Sequence, residues 1–442
     1  MKIRKFALTL SIALTMAMLG SNAYAAVKAG SACTKQGATS IVSGKKYTCI
    51  KSGKKIVWDK GTLFKKEMSL GTDSHKPAIK PTSAPEIVKV ELNLDSRISH
   101  ASIYEKVDLC KTTDLTPAGS TNPSSGFPRE NAPKSAKIIV LPISFTDYPY
   151  NDAAAEKLKV VLDQTVKFYE KTSYGRFKLN FEFVDKSKWI KFDRTAASYN
   201  LTNNQPQQNN QIVVEDALKI VDSSINFDNY DGVLMETAYF QIFNGGGQGF
   251  PGMKFKTNNG FAKGVSFDFG SGVASIQTIP HELGHSLFYL EDLYVFLNSN
   301  RPTVPDPSPA GTWDMMSNST QEFFGWNKLL MGFLLDSEIL CLKTNVEAVQ
   351  YLHSISDVDG CKLLVINLKE GVSLLAEVRV DSLNKYGLLV YKVDTNISHG
   401  DGPYVAEKTL IYSSKEKTIE GWKFSVLGED SKGLLFKVEK VS

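Results

Sequence analysis

From Lys137 onward the apolar positions fall into regular runs. Ile138-Ile139-Val140-Leu141, with Ile143 and Phe145, is a continuous apolar stretch, the pattern of a strand covered on both faces. Asp152 is placed to cap a helix in which Leu158, Val161, Leu162, Val166 and Tyr169 recur at helical spacing. Ser173-Tyr174-Gly175 ends that helix, and Phe177, Leu179, Phe181 and Phe183 then alternate as a strand. A polar loop around Asn203–Asn210 leads to a second helix with Val214, Ala217, Leu218 and Val221 on one face, and Gly232 to Met235 starts another strand. Strand and helix alternate, which predicts an α/β layer with a largely parallel sheet. After Cys341 helical periodicity is absent. Leu363–Leu368, Val372–Val380, Tyr386–Val393, Thr409–Ser413, Trp422–Leu427 and Leu434–Val438 are short β-rich runs, which predict a C-terminal β-sandwich of about a hundred residues.

The N-terminal third reads differently. Lys2, Arg4 and Lys5 precede an apolar run from Phe6 to Leu19, and Ala23-Tyr24-Ala25 has small residues where a signal peptidase cuts. Residues 1–25 are therefore expected to be a signal peptide, and the mature chain to be secreted with no transmembrane segment. Residues 26–62 form a small module bracketed by Cys33 and Cys49. Residues 63–134, polar and Pro-rich, read as a linker or pro-region. The α/β domain is expected over 135–340 and the sandwich over 341–442.

Composition narrows the classes. The 442 residues are 42% apolar and 22% charged, which excludes a disordered, collagen-like or coiled-coil chain. The formal charge is +4, and removal of the leader leaves about +1, so the overall charge gives no argument for a nucleic-acid partner. Export makes disulfides expected. Spacing suggests Cys33 with Cys49 and Cys341 with Cys361, leaving Cys110 as a buried thiol or as a thiolate that caps a metal in a latent precursor. Asp108 and Asp114 are alternative caps.

Two of the six histidines lie in His281-Glu282-Leu283-Gly284-His285. On a helix, residues four apart share a face, so both imidazoles reach one cation while Glu282 points to its open side. Neutral imidazoles with one open position suit a catalytic Zn²⁺, whose bound water Glu282 would deprotonate. Ser275 or Thr278 is expected to cap this helix, with Pro280 in its first turn. A third ligand is needed. Glu291 and Asp292 follow closely, and Glu322 lies farther on. Asp394, Asn396 and Asp401 hint at Ca²⁺ without a full loop pattern.

Several separated pieces resemble secreted zinc metallopeptidases of the immune inhibitor A type, a metzincin-like family: Phe168 to Gly175, the HExxH segment with Asp292-Leu293-Tyr294, Trp313-Asp314-Met315-Met316-Ser317, and Tyr386 to Asp394. The resemblance implies a metzincin-like fold, mixed and largely parallel, with the HExxH helix at its active site and a β-domain behind it. It implies that Met316 forms the methionine turn under the metal, and that the strand from Gly264 to Phe269 edges the cleft. It implies protein or peptide substrates. One position departs from the family. Where a Gly normally turns the chain stands Phe288, and the Asp-Leu-Tyr triplet comes one residue late. Glu291 keeps the usual count to the third ligand and Asp292 keeps the local motif; Asp292 is preferred, and both stay candidates. The departure also motivates an alternative, an inactive homologue whose N-terminal module contacts a cell surface.

Overall fold

The computed structural model describes residues 28–33, 36–37, 39–42, 45–63, 103–111, 132–199, 207–237, 247–268, 275–295, 308–317, 319, 321–397 and 401–441. The expected signal peptide, most of the linker and Asp114 lie outside them. The chain divides into two compact units, 1–86 and 87–442.

The first unit is a small sheet. Strands β1 (Thr39–Val42), β2 (Lys45–Ser52) and β3 (Lys55–Trp58) are antiparallel in that order, and β4 (Thr62–Leu63) pairs with β2. Cys33 and Cys49 are disulfide-bonded, as their spacing suggests.

The second unit opens with a one-turn helix, α1 (Val107–Cys110), followed by β5 (Ser135–Ser144), α2 (Asp152–Thr172), β6 (Lys178–Phe183), β7 (Ile190–Lys191), α3 (Gln207–Val221), β8 (Gly232–Thr237), β9 (Gly247–Thr257), β10 (Gly260–Asp268) and α4 (Ser275–Phe288). The sheet runs β6-β5-β8-β10-β9, with β7 also on β5. All its pairs are parallel except β9, which lies antiparallel on β10. The apolar run of β5 is buried on both faces for the expected reason. Ile138 and Val140 pack with Leu158 and Leu162 of α2 and Leu283 of α4, while Ile139 and Leu141 join a second core with Val214 and Leu218 of α3. The cap of α2 is Asn151, whose side chain accepts from the Ala154 N–H; Asp152 is the first helical residue.

After a short α5 (Gly325–Leu330) come β11 (Ile339–Leu342), β12 (Ala348–His353), β13 (Leu363–Lys369), β14 (Val372–Val380), β15 (Tyr386–Asp394), β16 (Tyr404–Ala406), β17 (Glu416–Ile419), β18 (Trp422–Glu429) and β19 (Gly433–Lys440). They form two sheets, β11-β13-β14-β15-β16 and β12-β19-β18-β17, whose inner faces share one core. The chain is thus mixed α/β with several sheets and few helices. The run Thr409–Ser413, expected as a strand, makes only an isolated bridge between Ile411 and Leu388. The apolar core around α2 and α4 continues into Leu363, Leu375, Leu389 and Tyr391, so no break in packing marks position 340.

The expected Cys341–Cys361 pair does not form. Cys341 is bonded to Cys110, and Cys361 is free. The reason is register. β11 and β13 are parallel with Ile339 beside Leu363, so Cys361 lies level with Ser337, its thiol 3.5 Å from that carbonyl oxygen. Four residues of strand separate it from Cys341, on the order of 13 Å, about twice the Cα reach of a disulfide. Cys110 is therefore neither a free thiol nor a metal cap, and it ties the segment before the first core strand to the sandwich. Asp108, the other described candidate cap, is exposed and paired with Lys111 at 2.8 Å.

Candidate metal centre

The HExxH segment lies in α4, which begins at Ser275 and so places Pro280 in the helix interior rather than its first turn. The carbonyl of Pro280 accepts a hydrogen bond at 2.8 Å from the hydroxyl of Tyr169, near the C-terminus of α2. Beneath the helix, Phe288 is fully buried among Tyr169, Phe177 and Phe333, with ring centroids 5.1 to 6.0 Å away. The bulky residue at 288 is a core residue.

The reversal that a Gly would make at 288 is made one residue later. Tyr289 has φ 56°, and the Leu290 N–H donates back to the Gly284 carbonyl at 3.1 Å. The acid arrives one residue late as well. Asp292 Oδ1 lies 2.9 Å from His281 Nε2 and 3.2 Å from His285 Nε2, and the two Nε2 atoms are 3.0 Å apart. Among the described residues these three form the one group of three or more His, Cys, Asp or Glu side chains placed to hold a metal. Glu291 is outside it. Glu322 is outside it too, paired with Lys328 and hydrogen-bonded by Ser356. Asp394 accepts from the backbone and side chain of Asn396, an ordinary Asx turn, and Asp401 bridges to Val295; neither joins a metal cluster.

The imidazoles are held from behind. His281 Nδ1 is 3.0 Å from the Met315 carbonyl and His285 Nδ1 2.6 Å from the Leu290 carbonyl. A carbonyl only accepts, so each Nδ1 carries a proton and each Nε2 is turned to the centre. The three donor atoms are a few tenths of an ångström closer than the ~3.3 Å edge of a tetrahedron with bonds of about 2.0–2.1 Å, so the set fits Zn²⁺. Burial opposes charge on all three side chains. Their mutual attraction outweighs it, raising His281 to about 9 and holding Asp292 well below the carboxylate range.

Met316 packs against α4 at Gly284. A Cβ on Gly284 would lie 2.6 Å from its sulfur, so only glycine fits at that point of the helix. The turn is fastened by Asp314, which accepts from the Met316 N–H at 2.6 Å, the Asn327 amide at 3.1 Å and the Phe324 N–H. Burial lifts the Asp314 carboxyl to about 6 against those donors.

Two features escaped the sequence reading. The Tyr294 hydroxyl is hydrogen-bonded to Asp292, and its ring stacks on His281 at 6.3 Å, so the last member of the Asp-Leu-Tyr triplet orients Asp292. The second is the glycine-rich start of β9, from Gly247 to Gly249. A Cβ on Gly249 would lie 2.6 Å from His285 Cβ, so the glycine lets β9 rest directly on α4. The strand expected to edge the cleft, Gly264 to Phe269, is mostly β10, which has a strand on each side; the edge of the sheet on that side is β9. The Glu282 carboxylate accepts from the Gly249 N–H and is lifted by burial against the pull of the two imidazoles.

No protein-family model matches the chain, and no curated protein sequence does. Two crystal forms of wild-type OgpA from Akkermansia muciniphila resemble it distantly. One is 11% identical over 64% of this chain and 94% of the other, with a TM-score of 0.26; the second is 13% identical over 66% and 87%, with a TM-score of 0.29. A likeness at that level assigns nothing, and the site stands on its own geometry.

Proposed function

We propose that this chain is an exported zinc endopeptidase of metzincin-like fold, similar to the immune inhibitor A type. The observation that carries the reading is the convergence of His281 Nε2, His285 Nε2 and Asp292 Oδ1 above Met316, each ligand fixed by a second partner. These residues would hold Zn²⁺, which supplies a Lewis acid for the scissile carbonyl and acidifies water at the site. Glu282, one position along the same helix face, takes a proton from that water and passes it to the departing amine nitrogen. Its carboxylate is steadied by the Gly249 N–H. The outer edge of β9 pairs with an extended substrate, so the peptide runs past Glu282. Export is supported by the leader-like N-terminus and two disulfides, and no described helix is long and apolar enough to cross a membrane.

The inactive-homologue alternative was motivated by Phe288 and the late acid. Phe288 has a packing role, and the turn at Tyr289 is late by the same one residue as Asp292. The deciding experiment pairs zinc content with hydrolysis of an unfolded protein such as casein. One zinc per chain is expected, lost in His281→Ala, with cleavage reduced at least a thousandfold in Glu282→Ala at unchanged zinc content. Full cleavage by zinc-loaded Glu282→Ala, or no stoichiometric zinc in the wild type, would refute the proposal.

A further inference from the structure

The C-terminal ends of β8 and β10 place Glu236 beside Asp268 in parallel register. Both side chains point to the α4 face of the sheet, two residues beyond Leu234 and Ser266. They are 5% and 0% exposed, and their carboxyls are hydrogen-bonded to each other. Two buried carboxylates cannot both be ionised at that spacing without a cation, so as they stand one proton is kept between them. The surroundings leave further oxygens without partners. Glu236 Oε2 and the Tyr150 hydroxyl are buried and make no hydrogen bond. Tyr150 is only 7% exposed, and Glu236 and Asp268 are the charged groups that its hydroxyl faces. Folded proteins seldom leave two such atoms orphaned together unless something binds there.

We propose that Glu236 and Asp268 form a second cation site, separate from the histidine cluster, that takes Ca²⁺ in exchange for the proton held between them. The donors are oxygens alone, with no imidazole or thiolate, which selects a hard dication. They come from flexible side chains on two strands rather than from a pre-set octahedron, which favours Ca²⁺ over Mg²⁺. The location gives the ion a role. Asp268 is in register with Gly247 of β9, and a Cβ at Gly247 would lie 2.7 Å from Glu282 Cγ. A cation joining the ends of β8 and β10 fixes the part of the sheet on which β9 and α4 rest.

The test is ⁴⁵Ca²⁺ equilibrium dialysis on the full chain after chelation and reloading with zinc. One Ca²⁺ per chain is expected for the wild type and for Asp394→Asn, and none for the neutral near-isostere Glu236→Gln/Asp268→Asn. A second measurement does not depend on that variant folding. Tyr150 packs edge-on against Trp189 at 5.2 Å, so Tb³⁺ in this site should be sensitised by tryptophan excitation. Trp189→Phe should lose most of that emission and keep the Ca²⁺ stoichiometry. A wild type that binds no Ca²⁺, a double variant that binds as much as the wild type, or Tb³⁺ emission unchanged by Trp189→Phe would each overturn the proposal and leave the zinc reading intact.

Discussion

At Gly284 the α-helix and the methionine turn come as close as a hydrogen in place of Cβ permits. Adding a methyl there puts carbon 2.6 Å from the Met316 sulfur, and Met316 is fully buried, so the turn has to move. Overpacking of this kind costs about 1–3 kcal/mol. It also displaces the Met315 carbonyl that orients His281. Gly284→Ala is expected to lower Tm and to weaken zinc about tenfold or more, the usual cost of disturbing a ligand's own partner. A Gly284→Ala variant with wild-type Tm and zinc affinity would show that the contact is slack. Tyr289 gives a converse test. An L-residue at φ 56° costs about 1–2 kcal/mol against a right-handed one, a penalty glycine avoids. Tyr289→Gly should therefore keep zinc binding and lose little stability. Tyr289→Val, β-branched and intolerant of that φ, should lower Tm and weaken zinc because Asp292 hangs three residues farther along. Chelator competition and thermal denaturation of the pair read both effects; equal behaviour of the two variants would refute the argument.

Between elements, the decisive contact is α2 against α4. The Tyr169 hydroxyl is fully buried and donates to the Pro280 carbonyl, where the helix carrying the histidines contains an interior proline. Tyr169→Phe keeps the ring and leaves that carbonyl without its side-chain donor, a loss of about 1 kcal/mol or somewhat more. The expected readout is a lower Tm with zinc stoichiometry kept; an unchanged Tm would mean that the bond contributes nothing net. The sequence made much of this layer legible because its strands and helices are one-sided or two-sided in burial, and periodicity reports burial. Val372–Val380 was read with the bounds the structure gives it, since eight of its nine residues are buried. The short β17, with Glu416 and Lys417 exposed, gave no such signal. That the two histidines meet was legible because a motif fixes their spacing. The acid beside them was legible only as a preference for Asp292, because Glu291 and Asp292 differ only in where one left-handed residue falls. Cys110 was misread for a similar reason: its partner is 231 residues away, and local spacing says nothing about strand register.

In the second unit as a whole, the α/β layer and the sandwich are joined by buried ion pairs as well as by apolar core, and this couples their union to pH. Arg176, just beyond α2, reaches Glu338 through two hydrogen bonds of 2.7 and 2.8 Å, and Lys362 meets the same carboxylate at 2.9 Å. Burial pushes the Glu338 carboxyl up, but Arg176, the Leu335 N–H and Lys362 outweigh it and hold the group below its ordinary 4.5. Glu322 behaves alike: burial raises it, and Lys328, Arg379 and Ser356 hold it down. A carboxyl that ionises more readily folded than unfolded binds fewer protons in the native state. Its stabilisation is complete above the unfolded value and is lost as pH falls through the lower, folded one. The contribution of these two carboxylates to stability should therefore be level near neutrality and decline below about pH 4.5. Glu338→Gln removes one of the two groups and leaves Arg176 and Lys362 without their counter-charge. At pH 7 it should cost about 3 kcal/mol, the low end for breaking a buried pair, since Arg176 keeps some solvent access. As pH drops below 4.5 the wild-type carboxylate is itself neutralised, so the gap between the two proteins should narrow steadily. Urea denaturation at pH 7, 5, 4 and 3 measures that gap, and a gap as wide at pH 3 as at pH 7 would mean that Glu338 joins the layers by packing rather than by charge.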